Sequence, residues 1–180
     1  ERYGIIRLWI TEGIPYAFIN KPLIYEEVRE FISQGVNVHS KEITLVGSGR
    51  IGYSLKKKGW GKKFSETSDL DFTIVSNNLY SKLVIDFKKW VNDIQTKRLL
   101  PHNANQMKSW LGSIEAVDRN IPQGFIYTKN LYPHNNYETV RKCYKTMSKV
   151  QERLSATENV PKISDTSIRV SSDWKTCVRQ

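Results

Sequence analysis

Cysteine is nearly absent from this chain: Cys143 and Cys177 are the only two among 180 residues. They are too few for a disulfide framework and stand in no metal-ligand spacing, which points to reduced thiols in a cytoplasmic setting. Histidine is also scarce. His39, His102 and His134 share no ligand spacing and read as surface or turn residues. No run approaches the ~20 apolar residues of a membrane-spanning helix, so no membrane partner is expected. Residues 5–10 are apolar but short and broken by Arg7, unlike a signal peptide. The chain begins at Glu1 without a Met, which suggests a trimmed chain or a piece of a longer protein. Acid is in deficit: 18 Asp and Glu face 28 Lys and Arg, a net charge of +10. That balance disfavours cationic substrates and favours a phosphate-rich partner. The length and a 39% hydrophobic fraction with five Trp read as one folded domain, residues 1–180, able to bury a core.

The chemistry concentrates in residues 42–76. An apolar strand, Ile43 to Val46, ends in Gly47-Ser48. A second strand opens Ser68-Asp69-Leu70-Asp71-Phe72. Alternate side chains of a strand share a face, so Asp69 and Asp71 project together, opposite Leu70 and Phe72. Two carboxylates about 6–7 Å apart along a strand repel unless a cation lies between them. Magnesium favours carboxylate and phosphate oxygens. The pair therefore reads as a metal clamp for a nucleotide. Gly47-Ser48-Gly49-Arg50-Ile51-Gly52 also matches the G-x-G-x-x-G dinucleotide fingerprint. Its context does not fit. A long helix should follow the third Gly, and a Lys/Gly-rich segment stands there instead.

Together, Gly47-Ser48, Arg50-x-Gly52 and Asp69-Leu70-Asp71 resemble the signature of the DNA polymerase beta-like nucleotidyltransferase superfamily. The resemblance covers residues 42–76 and extends more weakly to about residue 130. It implies a mixed α/β (α+β) fold, a small mixed sheet flanked by helices. It implies that Ser48 and nearby amides hold a triphosphate, with Gly47, Arg50, Gly52, Ser54 and Ser68 around it. It also implies that Asp69 and Asp71 bind Mg²⁺ (or Mn²⁺) as the catalytic pair. The implied activity is transfer of a nucleoside monophosphate from an NTP to an acceptor hydroxyl, with RNA as a candidate acceptor. The alternative is a catalytically degenerate module that binds nucleotide or RNA beside a protein partner.

Two departures from the family pattern stand out. The spacer from Ser48 to Asp69 is 20 residues long, and segment 56–64 reads as an insertion. The family's third carboxylate, on a later strand, is also missing from the expected place. The strand expected at 124–128 carries Tyr127, and no acid occurs between Arg119 and Tyr137. Tyrosine, with a pKa near 10, is a poor Mg²⁺ ligand at neutral pH. Glu115 is the candidate third acid and Asp118 a second substitute, though both fall near the end of an expected helix.

Charge is densest in the insertion, at Lys56, Lys57, Lys58, Lys62 and Lys63 around Trp60. Lysines meet phosphates and a Trp between them stacks a base, so this loop is a candidate nucleic-acid contact; a solvated loop fits equally well. A basic stripe at Arg141, Lys145 and Lys149 reads as an exposed helix face. Periodicity predicts helices at 23–34 (with Gly35 as its C-terminal cap), 80–94, 105–116 and 137–154. Trp90 and Trp110 fall on apolar faces and read as core. The core is expected to span 42–130, with a helical or irregular extension over 137–180 in which 168–170 is a candidate last strand.

Overall fold

The computed structural model describes residues 2–158, 160 and 162–179. These residues form a four-stranded mixed sheet and seven α-helices. The strands are β1 (Ile43–Val46), β2 (Asp69–Val75), β3 (Phe125–Tyr127) and β4 (Asp165–Ser171). They lie in the order β1-β2-β4-β3. β2 is antiparallel to β1 and parallel to β4, and β4 is antiparallel to β3. The helices are α1 (Arg2–Thr11), α2 (Pro22–Val36), α3 (Ser48–Ile51), α4 (Asn77–Gln95), α5 (Ala104–Asn120), α6 (Glu138–Ala156) and α7 (Trp174–Arg179). Among the described residues, no helix is long and apolar enough to cross a membrane.

The sheet has two unlike faces because its strands alternate. Leu70, Phe72 and Ile74 of β2, with Ile43 and Leu45 of β1 and Ile168 and Val170 of β4, are buried. They meet α2, α4 and α6, whose apolar stripes close the main core. Trp90 and Trp110 are both buried, edge to face at 6.1 Å, as their spacing predicts. The opposite face carries Asp69, Asp71 and Thr73, and there α1 and α7 pack against each other and the sheet. Thr44 Oγ1 donates to the Ile10 carbonyl at 2.8 Å, fastening the end of α1 to β1.

The candidate last strand at 168–170 is present, but it is longer and more central than a tail. Residues 165–171 are not an extension but the strand between β2 and β3, so the sheet is incomplete without them. Gly35 differs as well. Helix α2 continues through it to Val36, and Asn37 takes the left-handed cap position at φ 57°. A Cβ at residue 35 would run into the Thr146 side chain of α6, so Gly35 permits the close approach of α2 and α6. Gly35→Ala should therefore cost about 1–3 kcal/mol in urea unfolding. A loss below about 0.5 kcal/mol would mean that the Thr146 side chain turns aside freely.

Both cysteines are free and buried. Burial pushes the Cys143 thiol up to about 12.

Candidate functional site

The Gly47-Ser48 turn carries the chain from the end of β1 into α3. Gly47 has φ 65° and ψ −151°, a region open in practice only to glycine. An added Cβ would stand 3.6 Å from Asp71 Oδ2. The turn and the carboxylate, 24 residues apart in sequence, therefore converge. β1–β2 pairing causes this, since Val46 lies opposite Asp71.

Asp69 and Asp71 share one face as their alternation requires, while Leu70 and Phe72 are fully buried on the other. Each carboxylate is oriented by a serine from the last strand region. Ser164 Oγ donates to Asp69 Oδ1 at 2.5 Å, and Ser167 Oγ donates to Asp71 Oδ1 at 2.6 Å. Lys56 Nζ lies 4.0 Å from Asp71 Oδ2. Two carboxylates with serine hydroxyls make an all-oxygen donor set, which suits a hard divalent cation such as Mg²⁺ or Mn²⁺.

A cavity of about 530 Å³ opens beside Asp71, while Asp69, exposed at the start of β2, is not part of its lining. Gly47, Ser48, Ser54, Lys56, Asp71 and Arg169 line its polar side. Ile6, Trp9, Ile10, Leu55 and Val178, from α1, α7 and the loop after α3, line its apolar side. The structure thus gathers Gly47, Ser48, Ser54 and Asp71 from the residues singled out in the sequence.

The others are placed differently. Arg50 lines the cavity, but its guanidinium donates to the carbonyls of Trp9, Glu12 and Gly13 and so holds the end of α1. Burial there lowers its pKa from the ordinary arginine value. Gly52 closes α3 through its amide, bonded to the Ser48 carbonyl at 2.8 Å. The Ser68 hydroxyl accepts from the Ser65 amide at 3.0 Å in the turn before β2. Glu115 is exposed on α5, a helix that packs against β3 and its flanking 3-10 turns. Among the described residues, no three His, Cys, Asp or Glu side chains come together in a metal-holding group. Segment 53–63 folds back on itself through a Tyr53–Lys63 bridge. Lys57, Lys58, Lys62 and Lys63 are exposed along it, and Trp60 is 72% exposed, its ring free to stack.

Sequence reasoning passed over three residues of β4. In register with Asp69, Asp71 and Thr73 stand Asp165, Ser167 and Arg169. Burial pushes the Asp165 carboxyl up, but hydrogen bonds from Lys129 (2.5 Å) and the Thr166 amide, with the Lys129 charge, outweigh this and hold it below the usual range. The alternation of Asp165, Ser167 and Arg169 with Thr166, Ile168 and Val170 was the available signal. Comparisons with protein-family models, with curated proteins and with solved structures found no match for the chain, so the site rests on its own geometry.

Proposed function

We propose that this chain is a nucleotidyltransferase-type domain that binds a nucleoside triphosphate in the cavity between the Gly47-Ser48 turn and Asp71. Its reaction is transfer of a nucleoside monophosphate to an acceptor hydroxyl, with RNA or another phosphate-rich molecule as acceptor. One observation carries the reading: a glycine-only turn and the Asp71 carboxylate, one of a pair on its strand, face the same cavity. The small mixed sheet flanked by helices is consistent with a nucleotidyltransferase fold.

The residues have distinct tasks. Backbone amides at the Gly47-Ser48 turn approach phosphate oxygens without a Cβ in the way, and the Ser48 hydroxyl donates to one of them. Asp69 and Asp71 would hold Mg²⁺ or Mn²⁺, which would supply positive charge to offset that of the phosphates during transfer. Ser164 and Ser167 fix both carboxylates in orientation before substrate arrives. Lys56 adds positive charge beside Asp71. The exposed lysines and Trp60 of segment 53–63 present phosphate and base contacts for a nucleic-acid acceptor.

A second reading, nucleotide or RNA binding without turnover, is favoured by one observation. Among the described residues no third carboxylate joins Asp69 and Asp71, and the nearest in register, Asp165, is engaged by Lys129. The two readings separate when the protein is incubated with each α-³²P NTP, Mg²⁺ or Mn²⁺, and total RNA. Label transfer that disappears in Asp69→Ala is the expected result. Magnesium-dependent NTP binding without transfer would favour the binding module. Neither binding nor transfer would overturn both.

A further inference from the structure

Arg169 sits on the site face of β4, in register with Thr73 and two residues beyond Ser167. Its guanidinium is only partly exposed and lines the same cavity as Asp71 and Ser48. Its neighbours satisfy it poorly. The contacts to the Tyr127 hydroxyl and Thr73 Oγ1 are long, both 3.4 Å, and the Nε is buried with no partner. The Tyr127 ring lies 5.7 Å away. Among the described residues, no Asp or Glu forms an ion pair with Arg169. An arginine remains charged at any physiological pH, and a half-buried charge without a counter-ion is costly unless a ligand supplies one. The guanidinium fork matches phosphate geometry.

We propose that Arg169 is a metal-independent anchor for a phosphate group of the nucleotide, whose planar base lies against Trp9, Leu55 and Val178. This rests on the nucleotide reading of the cavity but assigns a separate contact within it. Asp69 and Asp71 act through a divalent cation, whereas Arg169 needs none. The division of labour follows from placement. Asp71 stands in the cavity wall beside Gly47, and the fixed cation stands on the neighbouring strand. Ligand binding would give the guanidinium charge a counter-charge.

ATP binding by the whole chain, measured calorimetrically in EDTA and again in Mg²⁺, tests this. The wild type should retain a metal-free component that weakens with added salt. Arg169→Gln should weaken that component about tenfold to hundredfold. Asp71→Asn should remove the gain from Mg²⁺, and because it takes a negative charge out of the cavity its metal-free affinity should rise rather than fall. Unchanged metal-free affinity in Arg169→Gln, or a wild type that binds only with Mg²⁺, overturns the anchor and leaves the metal-site reading intact. A metal-free component lost in Arg169→Gln with no gain from Mg²⁺ supports the anchor and sinks the metal site. No ATP binding under either condition overturns both. Because Arg169 lies on an inner strand, a second measurement uses the unmutated chain. Phenylglyoxal addition at Arg169, followed by peptide mass, should slow at least about threefold with ATP in EDTA, as the fork becomes engaged. Equal rates with and without ATP overturn the proposal.

Discussion

Asp71→Asn should remove magnesium-dependent nucleotide binding and lower any nucleotidyl transfer by about 10³-fold, since a metal supplies several kcal/mol of charge stabilisation and each 1.4 kcal/mol is a factor of ten. The substitution is nearly isosteric, and its Oδ1 still accepts from the Ser167 hydroxyl, so the strand register should survive. What disappears is the negative charge beside the Gly47 turn. Circular dichroism and the thermal midpoint check that the fold is kept, while titration with ATP at fixed Mg²⁺ reads the site. Affinity within about twofold of wild type, which is under 0.5 kcal/mol, would remove Asp71 from the metal site.

The largest effect on stability is expected at Asp86, far from the cavity. This carboxylate lies on the inner side of α4 and is 9% exposed. Its Oδ2 accepts from the amides of Thr139 (2.8 Å) and Val140 (3.1 Å), the first turn of α6. A helix start leaves such amides without partners, and a carboxylate there also meets the positive end of the helix dipole. Asp86→Ala would leave two amides unpaired next to the core. A loss of about 2–4 kcal/mol follows from the cap and the desolvated donors together. At about 2–4 °C per kcal/mol for a chain of this size, the midpoint should fall by roughly 4–16 °C. Asp86→Asn keeps an acceptor and should cost less. If Asp86→Ala costs under about 0.5 kcal/mol, water or a shift of α6 satisfies those amides instead.

The position of Asp86 shows what the sequence made legible. Leu83, Phe87 and Trp90 mark the buried stripe of α4, and Asp86 and Asp93 fall on that same stripe. A carboxylate on an apolar face calls for a buried partner. Periodicity locates the carboxylate but not what meets it, which proves to be the start of α6 for Asp86 and the Tyr137 hydroxyl for Asp93. The carboxylate pair on β2 was readable because alternation alone puts Asp69 and Asp71 on one face. The neighbour of β2 was not. Strand β4 is half polar, with Thr166, Ser167 and Ser171 buried by packing rather than by character. Its pairing with β2 bridges 96 residues between Asp71 and Ser167, a distance over which local pattern carries no register. Arg50 shows the opposite difficulty. Beside a Gly-Ser turn it looks like a phosphate ligand, and only the fold reveals that α1 ends within its reach.

The parallel pairing of β2 with β4 also sets a timetable. A contact between residues 96 positions apart carries a large loop-closure entropy, and folding slows as such contacts come to dominate a sheet. During synthesis at about 5–20 residues per second, roughly 5–20 s separate the emergence of Asp71 from that of Ser167. Through that interval β2 has β1 on one side and an open edge on the other. The serines that orient both carboxylates arrive with β4, so the acidic pair gains its final geometry only when the last strand docks. A nascent chain therefore completes neither its core nor its site until β4 docks, and the unpaired edge of β2 is the surface most exposed to mispairing while it waits.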